Sequence, residues 1–348
     1  MRYSCALPPS RAVVDRARLA ERLGYHRVWI FDSPAMYGDT WVALARVAEA
    51  TERIGLATGV AVPGLRHPVV TASAIATVEE LAPGRLVAAF GTGATGRTTL
   101  GLEPVRLAEL ADYARQVRAL LAGDVVEVGG RPCQLTHLPG FAPPRPIDVP
   151  VWLAVSGPKG LRLATETGAP GVIVTSVPAG GLHGWDHAAL LRFGTVLAPG
   201  EDHTTPRVRA AAGPGYASIA HLTWERAGTA VDRIPGGREW RAALAAERPE
   251  RERHLVVHQG HLASLTERDQ ALVDAAGPGL LAPGWSGDAA AIGGRVEEAA
   301  AAGVTEVVYV PAGPDPDREL TAFARAVVTG ASSRPARRPA SPAARSRG

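Results

Sequence analysis

Val151-Trp152-Leu153-Ala154-Val155-Ser156-Gly157-Pro158-Lys159-Gly160 is the stretch on which the reading of this chain turns. Val151 to Val155 is short, apolar and β-branched at several positions, the composition of a strand buried on both faces of a parallel sheet. Leu161 to Thr167 follows with helical spacing and good helix formers. Between the two, Gly157 lets backbone N–H groups approach a ligand, Pro158 suits a first helical turn, and the helix N-terminus carries partial positive charge. Lys159, the only lysine among 37 basic residues, adds a full charge beside it. A strand handing over to a helix through such a turn predicts an anion site, with phosphate as the natural occupant. The competing reading is an ordinary turn with one exposed lysine.

Working outward, the same strand-then-helix alternation recurs. Tyr3 to Leu7 reads as a first strand and Arg11 to Gly24 as a helix closed by glycine. Val28 to Phe31 is a second strand ending at Asp32, followed by helix Thr40 to Arg53, strand Ile54 to Val60, helix Val69 to Leu81 and strand Arg85 to Phe90. Helix Glu103 to Leu121 precedes a hairpin from Val125 to Leu135 that turns at Gly129-Gly130. The Val151 strand, its helix and strand Val172 to Thr175 continue the series. Arg207 to Ala212 reads as the seventh strand and Thr305 to Val310 as the eighth, after helix Asp288 to Ala302. Eight alternations predict a closed α/β barrel of the TIM type, not an open doubly wound sheet. Residues 1–330 read as a single domain. The stretch from about Gly215 to Pro283 interrupts it after strand seven as a helical insertion that caps the C-terminal mouth. Residues 331–348 are Pro, Ala, Ser and Arg with little to bury, and are expected to be a disordered tail.

Composition narrows the classes. A net charge of +3 on 348 residues, with arginines interleaved among acids, argues against nucleic acid as a partner. Cys5 and Cys133 lie far apart without metal-ligand spacing, and no apolar run approaches the roughly 18 residues of a membrane span. The expectation is a cytoplasmic protein acting on a small molecule, with no membrane contact.

Chemistry in such a barrel gathers where strands end. Asp32 and Ser33 end strand two, Gly59 and Val60 strand three, Gly91 to Thr95 strand four, Ser156 to Lys159 strand five, and Thr175 and Ser176 strand six. Small residues, hydroxyls and one carboxylate suit a flat, hydrogen-bonding cofactor whose phosphate rests near strands five and six.

With these residues in order, the chain resembles the luciferase-like family of flavin and deazaflavin oxidoreductases. Within it, the branch using the deazaflavin coenzyme F-420, which includes methylenetetrahydromethanopterin reductase, is the most similar. The resemblance is carried by Val28-Trp29-Ile30-Phe31-Asp32, by Ile54-Gly55-Leu56-Ala57-Thr58-Gly59-Val60 with Arg66-His67-Pro68, and by Gly84-Arg85-Leu86 leading to Gly91-Thr92-Gly93. Leu100 to Arg106, Leu120-Leu121-Ala122-Gly123 and Ser156-Gly157-Pro158-Lys159 extend it over most of residues 1–176. It implies a cofactor lying across the strand ends and a bulge or non-proline cis peptide near Gly59-Val60. It further implies phosphate bound by Ser156, Gly157, Pro158, Lys159, Thr175 and Ser176. Asp32, Ser33 and Thr92 would meet the ring, with Gly91 and Gly93 allowing close approach and Arg97 near the charged tail. A homodimer through the helices near Thr40 to Arg53 and Val69 to Leu81 is implied as well. FMN with oxygen, in a monooxygenase of the same family, is the alternative cofactor, and a barrel that binds no flavin a further class.

Departures matter equally. Members acting on sugar phosphates or alcohols place a histidine after the strand-two aspartate and a glutamate in the strand-four loop; here Ser33 and Ala94 or Thr95 stand there. Those substrates are therefore disfavoured, as is their acid–base pair. Gly168-Ala169-Pro170-Gly171 also lacks a carboxylate that the family carries at that place. The expected reaction is hydride transfer between the deazaflavin and a C=C or C=N bond, with the proton supplied separately. Tyr37, following strand two, is one donor candidate. In the helix-compatible stretch His254 to Asp274, His254, His258 and His261 stand at i, i+4 and i+7 and hence on one helical face, which makes His258 and His261 the others. No metal is expected there, because no carboxylate or cysteine of suitable spacing joins them.

Overall fold

Strand residues in this protein alternate between two apolar environments, and that alternation closes the sheet. The computed structural model describes residues 1–332. Its strands are β1 (Arg2–Leu7), β2 (Arg27–Ile30), β3 (Gly55–Thr58), β4 (Leu86–Phe90), β5 (Val126–Val128), β6 (Arg131–Cys133), β7 (Val151–Ala154), β8 (Gly171–Val174), β9 (His187–Phe193) and β10 (Glu306–Val310). Eight of them form a closed barrel in the order β1-β10-β9-β8-β7-β4-β3-β2, while β5 and β6 make the separate hairpin. Every barrel pairing is parallel, and β1 completes the ring by pairing with both β2 and β10.

The helices are α1 (Val13–Arg22), α2 (Thr40–Ala50), α3 (Pro68–Leu81), α4 (Ala94–Thr98), α5 (Leu107–Ala122), α6 (Gly157–Glu166), α7 (Pro206–Ala227), α8 (Gly237–Glu247), α9 (Glu267–Ala276), α10 (Ala289–Ala301) and α11 (Pro316–Ser332). Several begin on side-chain caps: Asp39 accepts from the Trp41 and Val42 amides, and Asp288 from that of Ala291.

Val28 and Ile30 point outward into the layer between strands and helices, whereas Trp29 and Phe31 point into the barrel. Trp29 and Trp152 meet inside it with ring centroids 5.7 Å apart. Beneath them Glu306 is the floor. Its carboxylate takes Arg27 Nη1 at 2.6 Å and Trp29 Nε1 at 2.9 Å, so the one acid buried there is paired and hydrogen-bonded on both oxygens.

The seventh strand is not where the sequence placed it. Arg207 to Ala212 belongs to α7, a 22-residue helix that Pro206 opens at a position where its missing N–H costs nothing. The strand is β9 instead, whose Ala189, Leu191 and Phe193 line the interior while Ala188 and Leu190 face the helices. The insertion accordingly begins at α7 and ends with a 3-10 helix at Leu281. It has a core of its own around Trp240, Leu244, Leu272 and Val273. His254 lies in a short 3-10 helix and His258 and His261 in the turns after it, so the expected single helical face does not exist. Of the expected tail 331–348, the first two residues end α11 and the remainder lies outside the described residues. No helix among the described residues is long and apolar enough to cross a membrane.

Candidate functional site at the barrel mouth

Three strand ends with small residues form one side of the mouth. The Gly59–Val60 peptide bond is cis, at the place the family resemblance implied. Beside it, a Cβ on Gly91 would stand 2.6 Å from Val60 Cγ2 and 3.1 Å from the Ala154 methyl, so only glycine lets β3, β4 and β7 converge there. Gly93 adopts φ of 78° and opens α4. Thr92 lies between them, half-buried. The result is a tight floor of backbone and methyl groups.

Asp32 closes β2 and is 4 % exposed. Its Oδ2 accepts from the Val62 amide at 3.1 Å and from Arg66 Nη1 at 2.8 Å. Arg66 spans to Asp39 as well, with Nη2 2.6 Å from Oδ2. Burial raises the pKa of Asp32 above the usual carboxylate value, against the pull of Arg66 and the Val62 amide. Its Oδ1 is buried and has no hydrogen-bond partner within the chain. Ser33 is also buried, and its carbonyl accepts the amides of Met36 and Tyr37 in the following turn.

The turn from strand to helix forms as expected. α6 starts at Gly157, with Ser156 at its N-cap, Pro158 in its first turn and no side chain capping it. Ser156, Gly157, Pro158 and Lys159 are exposed, as are Thr175 and Ser176 after β8. The first turn of α6 and these two hydroxyl residues thus follow neighbouring strands and are both open to solvent. Arg97 is committed elsewhere, donating from Nε to the Glu103 carbonyl at 2.7 Å, and it packs against Gly64 and Gly93.

The acid–base candidates separate. Tyr37 packs against Phe31, with centroids 6.0 Å apart, and belongs to the interior cluster of the barrel. Its hydroxyl donates to the His261 carbonyl, and burial pushes its pKa up. His258 is buried in the cap with Nε2 2.5 Å from Glu225 Oε1. The His261 ring lies 5.1 Å from that of His258 and 6.4 Å from that of His221. Two residues escaped the sequence reading. Arg66 stands in Arg66-His67-Pro68, where a cation following β3 is the signal that could mark it. His221, on α7, had no local signal at all.

A 5,10-methylenetetrahydromethanopterin reductase of Methanolobus tindarius is 28% identical over 179 residues, covering 48% of this chain and 51% of that one. An F-420-dependent glucose-6-phosphate dehydrogenase of Beutenbergia cavernae is 34% identical over 173 residues, covering 45% and 50%. The chain thus spans about half the length of the curated relatives it matches. The fold is shared with the coenzyme F-420-dependent tetrahydromethanopterin reductase of Methanopyrus kandleri, at a TM-score of 0.62 and 21% identity over 94% of this chain and 98% of that one. Residues 3–185 match the family model for luciferase-like monooxygenases, and the chain belongs to that family.

Proposed function

We propose that this chain is a deazaflavin-dependent oxidoreductase that moves hydride between coenzyme F-420 and a C=C or C=N bond of a small molecule. The observation that carries the reading is the unpartnered Oδ1 of Asp32, a buried acceptor at the mouth that calls for a donor from a ligand. The Gly91 floor supports it, since a flat ring system needs a surface without side chains. The chemistry a bound deazaflavin supplies is two-electron hydride transfer.

In this reading Asp32, with Oδ2 fixed by Arg66, accepts a hydrogen bond from the ring system. Gly59, Val60, Gly91, Thr92 and Gly93 form the bed, with Ser33 in the adjoining loop. The backbone of Ser156, Gly157 and Pro158, the Lys159 ammonium and the hydroxyls of Ser156, Thr175 and Ser176 hold the phosphate. Among the three acid–base candidates Tyr37 is the one that belongs to the barrel interior, so it is the proton donor of choice; His258 and His261 turn their rings to each other and to His221. Ser33, with Ala94 or Thr95, at the positions noted above disfavours sugar phosphates and secondary alcohols as substrates. A homodimer through α2 and α3 fits the exposed Val42 and Val70 on those helices.

Fluorescence titration of the purified full chain tests the cofactor. Saturable F-420 binding with FMN ignored is the expected result, whereas tight FMN binding with oxygen uptake, or affinity for neither, overturns it. Under reduced cofactor, a true substrate gains about two mass units, the mass of one hydride and one proton.

A further inference from the structure

The cap encloses a histidine group that the proposed reaction does not use. His221 lies on α7, and His258 and His261 in the turns that precede α9. One ring nitrogen of each lies within 4.8 Å of one from each of the others. His221 and His258 are each 1 % exposed, and Nδ1 of all three rings is buried with no hydrogen-bond partner. Buried polar atoms are almost always satisfied, so an unsatisfied nitrogen on each of three grouped rings calls for an occupant.

The surroundings say which kind. His221 Nε2 is 2.8 Å from Asp269 Oδ1, and His258 Nε2 is 2.5 Å from Glu225 Oε1. A carboxylate that accepts from Nε2 holds the ring proton there and leaves the Nδ1 lone pair free, the tautomer that a metal requires. Asp269 is itself fixed, taking Trp240 Nε1 at 2.9 Å and Thr266 Oγ1 at 2.7 Å. A hydrogen-bonded polar core of the same residues would not leave each Nδ1 bare.

We propose that His221, His258 and His261 bind one divalent transition-metal ion of the zinc class through their ring nitrogens, with Asp269 and Glu225 as the carboxylates behind the first two. Tetrahedral zinc holds nitrogens at about 2.0–2.1 Å and hence about 3.3 Å from one another, so the separations between ring nitrogens shorten by up to about 1.5 Å on binding. His261, the half-buried member, leaves the entry side and the fourth position for water. The ion fixes the turn whose His261 carbonyl receives Tyr37 and whose Leu262, at φ of 55°, packs into the interior cluster of the barrel. Its role is to pin the cap over the mouth, and it stands whether or not the deazaflavin reading does.

The test uses the untagged full chain, stripped with a chelator and dialysed. Cobalt titration is expected to give visible d–d absorption that saturates at one ion per chain and is displaced by zinc. His261→Gln should abolish that absorption while the protein still melts cooperatively. Glu225→Gln, which alters only the outer carboxylate, should weaken zinc binding ten- to a hundredfold. A wild-type chain that melts cooperatively yet shows no cobalt absorption and retains no zinc overturns the proposal. Unchanged zinc affinity in Glu225→Gln overturns it too, and that variant decides the matter if His261→Gln does not fold.

Discussion

The Tyr37 hydroxyl donates to the backbone carbonyl of His261, joining the loop after β2 to the cap across 224 positions of sequence. Tyr37→Phe keeps the ring on Phe31 and removes only that bond and the phenolic proton. Stability should fall by about 0.5–1.5 kcal/mol in denaturant melts, the net worth of one hydrogen bond. If Tyr37 delivers the proton, kcat should fall by about 10² to 10⁴ while cofactor Kd stays nearly constant. Unchanged turnover in Tyr37→Phe would remove it from the chemistry and leave it a tie to the cap.

Among the described residues Arg66 is the only side chain that pairs with Asp32, and it bridges to Asp39 through its second guanidinium nitrogen. Arg66→Ala should destabilise the fold by about 3–5 kcal/mol near neutral pH, because a buried carboxylate then loses its cation. Asp32 already has a raised pKa, and the substitution raises it further. A carboxyl that holds its proton more tightly in the folded than in the unfolded state contributes stability at low pH that is lost as pH rises between the two pKa values. The deficit of Arg66→Ala relative to the wild type should therefore shrink on acidification. Melts between pH 4 and about pH 8, spanning the carboxylate range, check this, and a deficit that grows toward acid would contradict it.

Much of the barrel is legible in the sequence because parallel strands buried on both faces are continuous apolar runs, as in Leu86 to Phe90. β9 was not, because His187 and Arg192 interrupt its run, while Arg207-Val208-Arg209 on α7 imitates a strand's alternation. The strand-end residues stand out for the same reason that strands do: a lone carboxylate or glycine closing an apolar run, as at Asp32 and Gly91, has few structural explanations. Arg66 and His221 stayed hidden because their meaning is made by tertiary partners. Arg66 finds Asp32 at a separation of 34 positions, and His221 finds Asp269 at 48, distances at which residue spacing carries no information.

Gly91 offers a cleaner test of the cofactor bed. Gly91→Ala places a methyl within 2.6 Å of Val60 Cγ2, so Val60 must move. The cost should be about 1–3 kcal/mol of stability, typical of overpacking, together with loss of F-420 affinity. Removing the opposing methyls with Val60→Ala should recover much of both in the double variant, a coupling of about 0.5–3 kcal/mol. Strictly additive effects of the two substitutions would show that the Gly91–Val60 contact is not what shapes the bed.

After the C-terminal end of β9, Arg207 joins Glu201 to Glu319, which also receives Arg318 and the Thr195 hydroxyl. The hydrogen bonds from Arg207 hold the Glu201 carboxyl down to about 2, below its ordinary value of 4.5. A carboxyl whose pKa is depressed on folding contributes stability that is fully present above the unfolded value and is lost as pH falls toward the folded one. Acid should therefore weaken the α7 to α11 junction between about pH 4.5 and about pH 2. Glu201→Gln, which has no proton to take up, should be less stable than the wild type at neutral pH and should lose less as the pH falls. Equal slopes of stability against pH in the two proteins would exclude Glu201 as a source of acid sensitivity.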